Sequence, residues 1–268
     1  MELVAKCDAE QKAKGWTYKF ELTVLEFYNE EVIDLLRDEG TDKEDLPVVA
    51  NKKGTAMLVT GSNKVEVDPV DVKGLEDLCQ KAAVNRATSA TDANEQSSRG
   101  HMVFTLYLTG THEDGACVTG ILNLCDLAGA ETLSGSVDGE RAKESTAISK
   151  SLSNLADVFH GLKTNASYIP FRVGKLTNYL SCALCGDGKT MLIVTLSPTQ
   201  DAFDQSLASL TFGYSVNQIE LGKAIRNVVE PITETNKKSK TGGGTKKGSA
   251  DDSADAKGGA SKGGKKKK

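Results

Sequence analysis

Alternating apolar and polar positions define the first predicted strand of the chain. In residues 18–27 (YKFELTVLEF) most apolar side chains fall at every second position, the period of a strand with one buried face. Residues 101–108 and 117–127 are also β-prone, with a turn-forming stretch between them. The second run is almost continuously apolar, as expected for a strand covered on both faces. A further buried strand is predicted at residues 191–196.

Other segments carry their apolar residues at helical spacing. The 3.6-residue period predicts helices at residues 72–86, about 141–162, 174–184 and 203–219, and a short helix at 30–36. A small hairpin is predicted at residues 57–67, where Gly, Ser and Asn separate two β-prone runs. Helices that alternate with buried strands indicate an α/β fold. We expect a three-layer sandwich with a central, mostly parallel mixed sheet between helices.

Charge is distributed unevenly along the chain. The formal net charge is −4, but residues 237–268 hold eleven Lys and three Asp, which gives this tail +8 and the rest of the chain −12. A body this acidic argues against nonspecific binding of nucleic acid. The tail has no large apolar residue, so it cannot bury enough surface to offset its ordering entropy. We therefore predict one folded domain over residues 1–230 and a disordered Lys/Gly-rich tail over residues 231–268.

The six cysteines lie mostly inside apolar runs, with no signal peptide ahead of them. This pattern predicts reduced core residues of a cytosolic protein. Cys182 and Cys185 have CxxC spacing, but no second pair or His cluster completes a tetrahedral zinc site, so we expect helix packing there. No apolar run approaches the ~20 residues needed to span a bilayer, so no membrane association is expected.

The first run with candidate chemistry is residues 94–101 (NEQSSRGH). It presents the hydroxyls of Ser97 and Ser98 beside Arg99, in a polar loop that leads directly into a predicted strand. A sensor of a γ-phosphate needs a hydroxyl or carboxylate near Mg²⁺, a free backbone amide and a means of placing the attacking water. Taken alone, the run is equally well a serine-rich loop with a solvated arginine.

The second run is residues 126–131 (DLAGAE), at the end of a buried strand. Asp126 would lie at the end of the strand, next to a bound metal ion. Gly129 has no side chain to block close approach of the backbone to a phosphate. Taken alone, Asp followed by Gly after a strand is a common turn. With a predicted strand, turn and strand between them, the two runs together predict a phosphate-sensing site.

Together these runs resemble the switch I and switch II segments of the kinesin superfamily motor domain. The resemblance extends from about residue 15 to residue 225. Residues 28–36 (YNEEVIDLL), 149–155 (SKSLSNL) and 168–177 (YIPFRVGKLT) are similar to the family's YNE...DLL, NKSLSAL and HIPYRNSKLT segments. Residues 14–19 (KGWTYK) and 217–229 (NQIELGKAIRNVV) resemble the C-terminal motor subfamily, which moves toward the minus end.

The resemblance implies ATP and Mg²⁺ as cofactors. Ser98 would bind the magnesium and Asp126 would hold it through water. Ser97 would belong to the same nucleotide-binding set, and Gly129 would contact the γ-phosphate. These assignments come from the family's motifs and apply only where this sequence matches them.

The resemblance also implies a catalytic ion pair between Arg99 and Glu131, which would close the two switches around the attacking water. A planar Arg fork and a carboxylate make a directional and breakable latch. Gly100 and Ala130 stand where the family usually has Ser. Loss of these two hydroxyls would loosen the closed state without removing the latch.

A basic surface is implied for binding acidic tubulin. The matching candidates are Lys150, Arg172 and Lys175, whereas Ser149 and residues 173–174 depart from the family's pattern. Basic residues on an otherwise acidic body suit steering toward an acidic filament. The expected partner is the microtubule, and the expected location is the cytoplasm and the microtubule cytoskeleton, including the spindle. In the subfamily, dimers form through an upstream coiled coil that this chain does not contain.

The family's P-loop, GxxxxGK[ST], is not found before residue 28, where a kinesin motor has it. Residues 183–190 (ALCGDGKT) fit a relaxed pattern, but they follow a predicted helix, whereas a P-loop follows a strand and opens a helix. We therefore expect a tight turn there and an incomplete motor head with an exposed sheet edge. It would be an ATPase if the P-loop part were present and inactive as the chain stands.

Two other interpretations stay open. The chain could be a non-catalytic microtubule-binding pseudo-motor that pairs with an active kinesin. Alternatively, the Lys-rich tail could be an electrostatic anchor to a filament or nucleic acid, with the body merely structural.

Overall fold

The computed structural model describes residues 9, 11–38, 40–52, 54–68, 70–87, 100–129, 140–185, 188–221 and 228–229, with backbone alone at 140–148 and 228–229. The chain separates into two units, Met1–Glu230 and Pro231–Lys268. The second unit lies wholly outside the described residues. The predicted disorder of the tail therefore stays a prediction.

Strands and helices account for most of the described chain. The strands are β1 (Trp16–Tyr28), β2 (Glu31–Asp34), β3 (Val48–Ala50), β4 (Met57–Val59), β5 (Val65–Val67), β6 (His101–His112), β7 (Cys117–Asp126) and β8 (Val228–Val229). The helices are α1 (Val72–Ala87), α2 (Glu140–Lys163), α3 (Lys175–Leu184) and α4 (Phe203–Asn217). Strands β2-β1-β6-β7-β8 lie side by side in the main sheet, β5 also pairs with β1, and β3-β4 form a separate sheet.

Side chains on successive positions of β1 point to opposite faces of the main sheet. Leu22 and Val24 pack in one apolar cluster with Ala82 of α1. Leu25 and Phe27 belong to a second cluster, which includes buried residues of α2 and α3. The sheet therefore lies between two helical layers, and the predicted α/β sandwich is confirmed.

The strand directions differ from the predicted mostly parallel sheet. Every pairing among the described strands is antiparallel, including the long ladders of β1 with β6 and of β6 with β7. Strands β6 and β7 are joined by a tight turn, which permits only antiparallel pairing, whereas parallel pairing needs a long crossover. The candidate for such a crossover strand, residues 191–196, forms no ladder.

Two further predicted elements are wrong. Residues 30–36 contain strand β2 in place of the predicted helix. Asn29 and Glu30 have positive φ values of 51° and 61°, and they form a two-residue turn that folds the chain back on β1. Apolar spacing alone could not separate a short helix from this strand. The two runs in residues 57–67 do not pair with each other, since β4 pairs with β3 and β5 pairs with β1.

The cysteines are less buried than predicted. Cys79, Cys125 and Cys185 are exposed and Cys117 and Cys182 are half-buried, and none of these five forms a disulfide. The core prediction is therefore wrong for these five, because strand β7, the middle of α1 and the C-terminal end of α3 are less covered than their apolar sequence suggested. Within the described residues, no group of three or more His, Cys, Asp or Glu side chains could hold a metal ion. No helix in that part of the chain is long and apolar enough to cross a bilayer.

Candidate functional site

The described ends of the two polar runs, residues 100–101 and 126–129, lie at one end of the main sheet. Met102 pairs with Asp126 in the β6–β7 ladder, so the residues that follow the serine-rich run lie beside the start of the DLAG loop. The Asp126 side chain is 67% exposed, and Gly129 is half-buried. Ser97, Ser98, Arg99 and Glu131 lie outside the described residues, so their roles stay predictions.

A buried arginine that the sequence analysis did not single out ties this region together. Arg86, in the last turn of α1, donates from Nε to Glu26 Oε1 at 3.1 Å and from Nη2 to the Gly100 carbonyl at 2.7 Å. Its Nη1 lies 3.9 Å from Asp126 Oδ2. Only 10% of the Arg86 side chain and 4% of the Glu26 side chain are exposed. One guanidinium thus binds Glu26 and the residue before β6, and it lies near the exposed carboxylate of the candidate metal ligand.

The sequence contained a signal for the ion pair between Arg86 and Glu26. Glu26 shares a strand face with Leu22 and Val24, and a carboxylate on an apolar face requires a partner. The pattern could not say which of the 33 basic residues supplies it. Arg86 is remote in sequence and reaches Glu26 only because α1 packs on that face of the sheet.

His101 makes a second buried connection. Its Nδ1 accepts a hydrogen bond from the Ala128 amide at 3.0 Å, and its Nε2 lies 2.7 Å from Ser151 Oγ on α2. Because Nδ1 is an acceptor, the neutral ring carries its proton on Nε2, which donates to Ser151. The residue is 3% exposed. The start of β6, the DLAG loop and α2 are therefore joined by one imidazole.

The stability of the domain is expected to depend on pH through His101. Burial, reinforced by the charge of Arg86 and opposed by Asp126, lowers the pKa of His101 from 6.5 to about 4. Between these values the unfolded chain binds a proton that the folded chain does not, so the free energy of unfolding falls as pH falls. Urea unfolding should show a loss of about 2 kcal/mol from this group between pH 7 and pH 5. His101→Asn should remove that part of the slope, and an unchanged slope would contradict the assignment.

The described part of the site contains one candidate ligand for a magnesium ion. Asp126 offers an exposed carboxylate at the strand end. Mg²⁺ prefers oxygen ligands and usually keeps several waters, so one or two protein ligands suffice. The structure describes Asp126 but not Ser98, the other predicted metal-binding residue.

The P-loop-like run at residues 183–190 has the wrong surroundings for phosphate, as the sequence predicted. Helix α3 ends at Leu184, and Gly188–Thr190 lead into a segment without helix or strand. The Thr190 hydroxyl donates to the Ala183 carbonyl at 3.2 Å, which closes a turn. No helix begins there to direct its amides at an anion.

The candidate filament-binding residues have different surroundings. Lys150 and Arg172 are exposed. Asn154 lies one turn along α2 from Lys150, and its side-chain amide donates to the Val173 carbonyl at 3.4 Å. Lys150 and Arg172 therefore lie on neighbouring elements. Lys175 is instead paired with the carboxylate of Asp45 at 2.5 Å.

The Lys175–Asp45 pair belongs to a structural junction. The Lys175 amide, at the start of α3, donates to Glu30 Oε2 at 3.0 Å, so the β1–β2 turn caps this helix. Asp45 also accepts a hydrogen bond from the Val32 amide at 3.0 Å. The bond from Lys175 is the main cause that lowers the pKa of Asp45. The charge of Lys175 is thus largely satisfied within the chain.

A large open cleft borders the site, and we call it the β7 cleft. Its apolar walls include Leu122 and Leu124 of β7, which are 52% and 59% exposed, and Met191 and Ile193, which are 81% and 73% exposed. Its volume is about 2160 Å³. On this side of β7, β8 pairs with Cys117 and Val118, and the rest of the edge has no strand partner among the described residues.

The predicted buried strand at residues 191–196 is therefore wrong for this structure. The segment is rich in apolar residues but lies along the β7 cleft without a hydrogen-bonded neighbour strand. A strand forms only when a partner satisfies its backbone groups.

Comparison with known proteins gives a consistent result. A model of the kinesin motor domain matches residues 2–219. Kinesin-like protein 2 of Schizosaccharomyces pombe is 42% identical over 221 residues, which cover 80% of this chain and 27% of that protein. The chain thus spans less than a third of the length of this relative.

Solved structures agree with the sequence match. The motor domain of KAR3 from Saccharomyces cerevisiae is 35% identical with a TM-score of 0.68, over 80% of this chain and 64% of that one. A KIF14 dimer with AMP-PNP, in complex with a microtubule, is 31% identical with a TM-score of 0.72, over 83% of this chain and 64% of that one. Because the family model covers most of the chain and these relatives agree with it, the chain belongs to the kinesin motor domain family.

Proposed function

We propose that this chain is an incomplete head of an ATP-driven microtubule motor of the C-terminal kinesin type. The observation that supports it most strongly is the junction at the end of β7. There Asp126, the amide of Ala128, the start of β6 and helix α2 are connected through Arg86 and His101. A motor requires such a connection, because a change at the nucleotide must reach the element that contacts the filament.

In this proposal, ATP with Mg²⁺ supplies the phosphoryl group that the site senses. Asp126 holds the magnesium through water together with the Ser98 hydroxyl, and Gly129 leaves its backbone free to meet the γ-phosphate. Arg99 and Glu131 form the latch around the attacking water. The Arg86 guanidinium, 3.9 Å from Asp126, favours positions of this carboxylate near the end of β7, and a site organised in advance costs less to complete when the nucleotide binds.

The β7 cleft supports the view that the head is incomplete. A large apolar opening beside an unpaired sheet edge is rare in a stable monomer, since both the exposed apolar surface and the free edge favour association. The solved KAR3 motor domain has about a third of its length outside the matched region. We propose that the strand, P-loop and helix of a whole motor occupy this cleft.

The proposed partner of this chain is the microtubule, with which the similar KIF14 structure is in complex. Reversal of charge at Lys150 and Arg172 together should weaken co-sedimentation with microtubules by at least about tenfold, because attraction to an acidic filament becomes repulsion. Lys73→Glu, at an exposed lysine of α1 on the opposite face of the sheet, is the control and should change binding little.

The measurement should be made on the full chain and on a chain without residues 237–268. If the double reversal binds as well as the native sequence in both, α2 and the Arg172 turn are not the filament surface. If binding disappears only when the tail is removed, the Lys-rich tail is the anchor and the body is not.

A further inference from the structure

His101 bridges the two parts of the molecule to which the proposed function gives separate tasks. The Ala128 amide donates a hydrogen bond to the His101 ring, and Ala128 lies between Asp126 and Gly129 in the DLAG loop. Ser151, which it contacts through Nε2, directly follows Lys150 on α2. We propose that His101 is a positioning residue that couples the DLAG loop to α2, an inference that rests on the proposed function.

The chemistry of the ring makes this link specific to its two partners. A neutral imidazole has one acceptor and one donor, and here each is used by a different element. If Ser151 moves away with α2, the ring loses the bond that fixes its orientation, and its bond to Ala128 weakens. If the DLAG loop moves, the same ring transmits the displacement to α2. A methylated or apolar side chain of the same size could fill the space but could not join the two elements.

The surroundings of the ring favour transmission over free rotation. His101 is 3% exposed and pairs with Phe27 in the β1–β6 ladder, so its backbone is fixed on a central strand of the sheet. The preceding residue, Gly100, is held by Arg86 through its carbonyl. With the backbone anchored on both sides, movement at this point is confined to the loop and the helix.

The decisive test is amide hydrogen exchange on the full chain, without filament or nucleotide. Ser151→Ala should accelerate exchange of the Ala128 amide about fivefold relative to the amides of β1, as expected for the weakening of one hydrogen bond. Ser151→Thr keeps the hydroxyl and should retain protection. Ser153→Ala, at an exposed serine on the same helix, is the matched control and should leave Ala128 unchanged.

Equal exchange of Ala128 in the Ser151→Ala and Ser153→Ala proteins would overturn the proposal. A uniform acceleration at Ala128 and at the β1 amides would also overturn it, since that result indicates general destabilisation rather than coupling. Co-sedimentation with microtubules tests the proposed function separately. Failure to bind filaments with the exchange result intact would reject the motor function but leave the His101 link.

Discussion

Fusing this chain to the strand, P-loop and helix of the KAR3 motor domain is expected to produce an ATPase that microtubules accelerate. The chain alone should release no phosphate above background, because the described part of the chain offers Mg²⁺-ATP a carboxylate at Asp126 but no amide cradle for its phosphates. The donor segment should fill the β7 cleft and pair with the free edge of β7. Phosphate release with and without microtubules measures the effect.

Two variants of the fusion make this result specific. Asp126→Asn should lower the rate by about 100-fold or more, since it removes the charge that would hold the metal beside the phosphate. Asp77→Asn, at an exposed carboxylate of α1, should leave the rate unchanged. A fusion that folds and binds microtubules but stays inactive would favour the non-catalytic pseudo-motor instead.

Replacement of Arg86 by Ala is expected to destabilise the domain by about 3–5 kcal/mol, the cost of removing one partner of a buried ion pair. The Glu26 carboxylate, 4% exposed, would lose its counter-ion, and the Gly100 carbonyl would lose its donor. The effect should be measured as a shift of the urea unfolding midpoint at pH 7.

An exposed ion pair formed by a lysine of the same helix provides the control. Lys81 lies 3.2 Å from Asp38, with 37% and 89% of the side chains exposed, so Lys81→Ala should cost less than about 1 kcal/mol. The double variant Arg86→Met with Glu26→Leu should recover most of the lost stability, because no buried charge is left unpaired. If Arg86→Ala costs no more than Lys81→Ala, the pair does not hold the site.

Much of the fold could be predicted from sequence because the spacing of apolar residues is a local property. The strands around residues 18–27, 101–108 and 117–127 and the four main helices were all found from the spacing of apolar residues. Short elements were the exception. In residues 30–36 a few apolar positions fit either period, and the turn at Asn29 and Glu30, which has positive φ values, made the segment a strand.

The candidate site could be predicted only in part. The two polar runs and their family were recognisable from residue order, as was the position of Asp126 at a strand end. The side chains that hold the site were not recognisable. Glu26 and Arg86 are 60 positions apart, and His101 and Ser151 are 50 apart, so neither pair is marked by any local pattern. The pairing of Lys175 with Asp45 was not recognisable either, and the filament contact of Lys175 stays a prediction.

The sequence by itself determined the family, the alternation of strands and helices, and the chemistry available at the ends of β6 and β7. These are properties of neighbouring residues, set by side-chain period and by motif. The tertiary structure alone decided which charges are buried, which ring joins the DLAG loop to α2, and that β7 borders an open cleft of about 2160 Å³. Burial and pairing depend on segments far apart in the chain, and only packing brings those segments together.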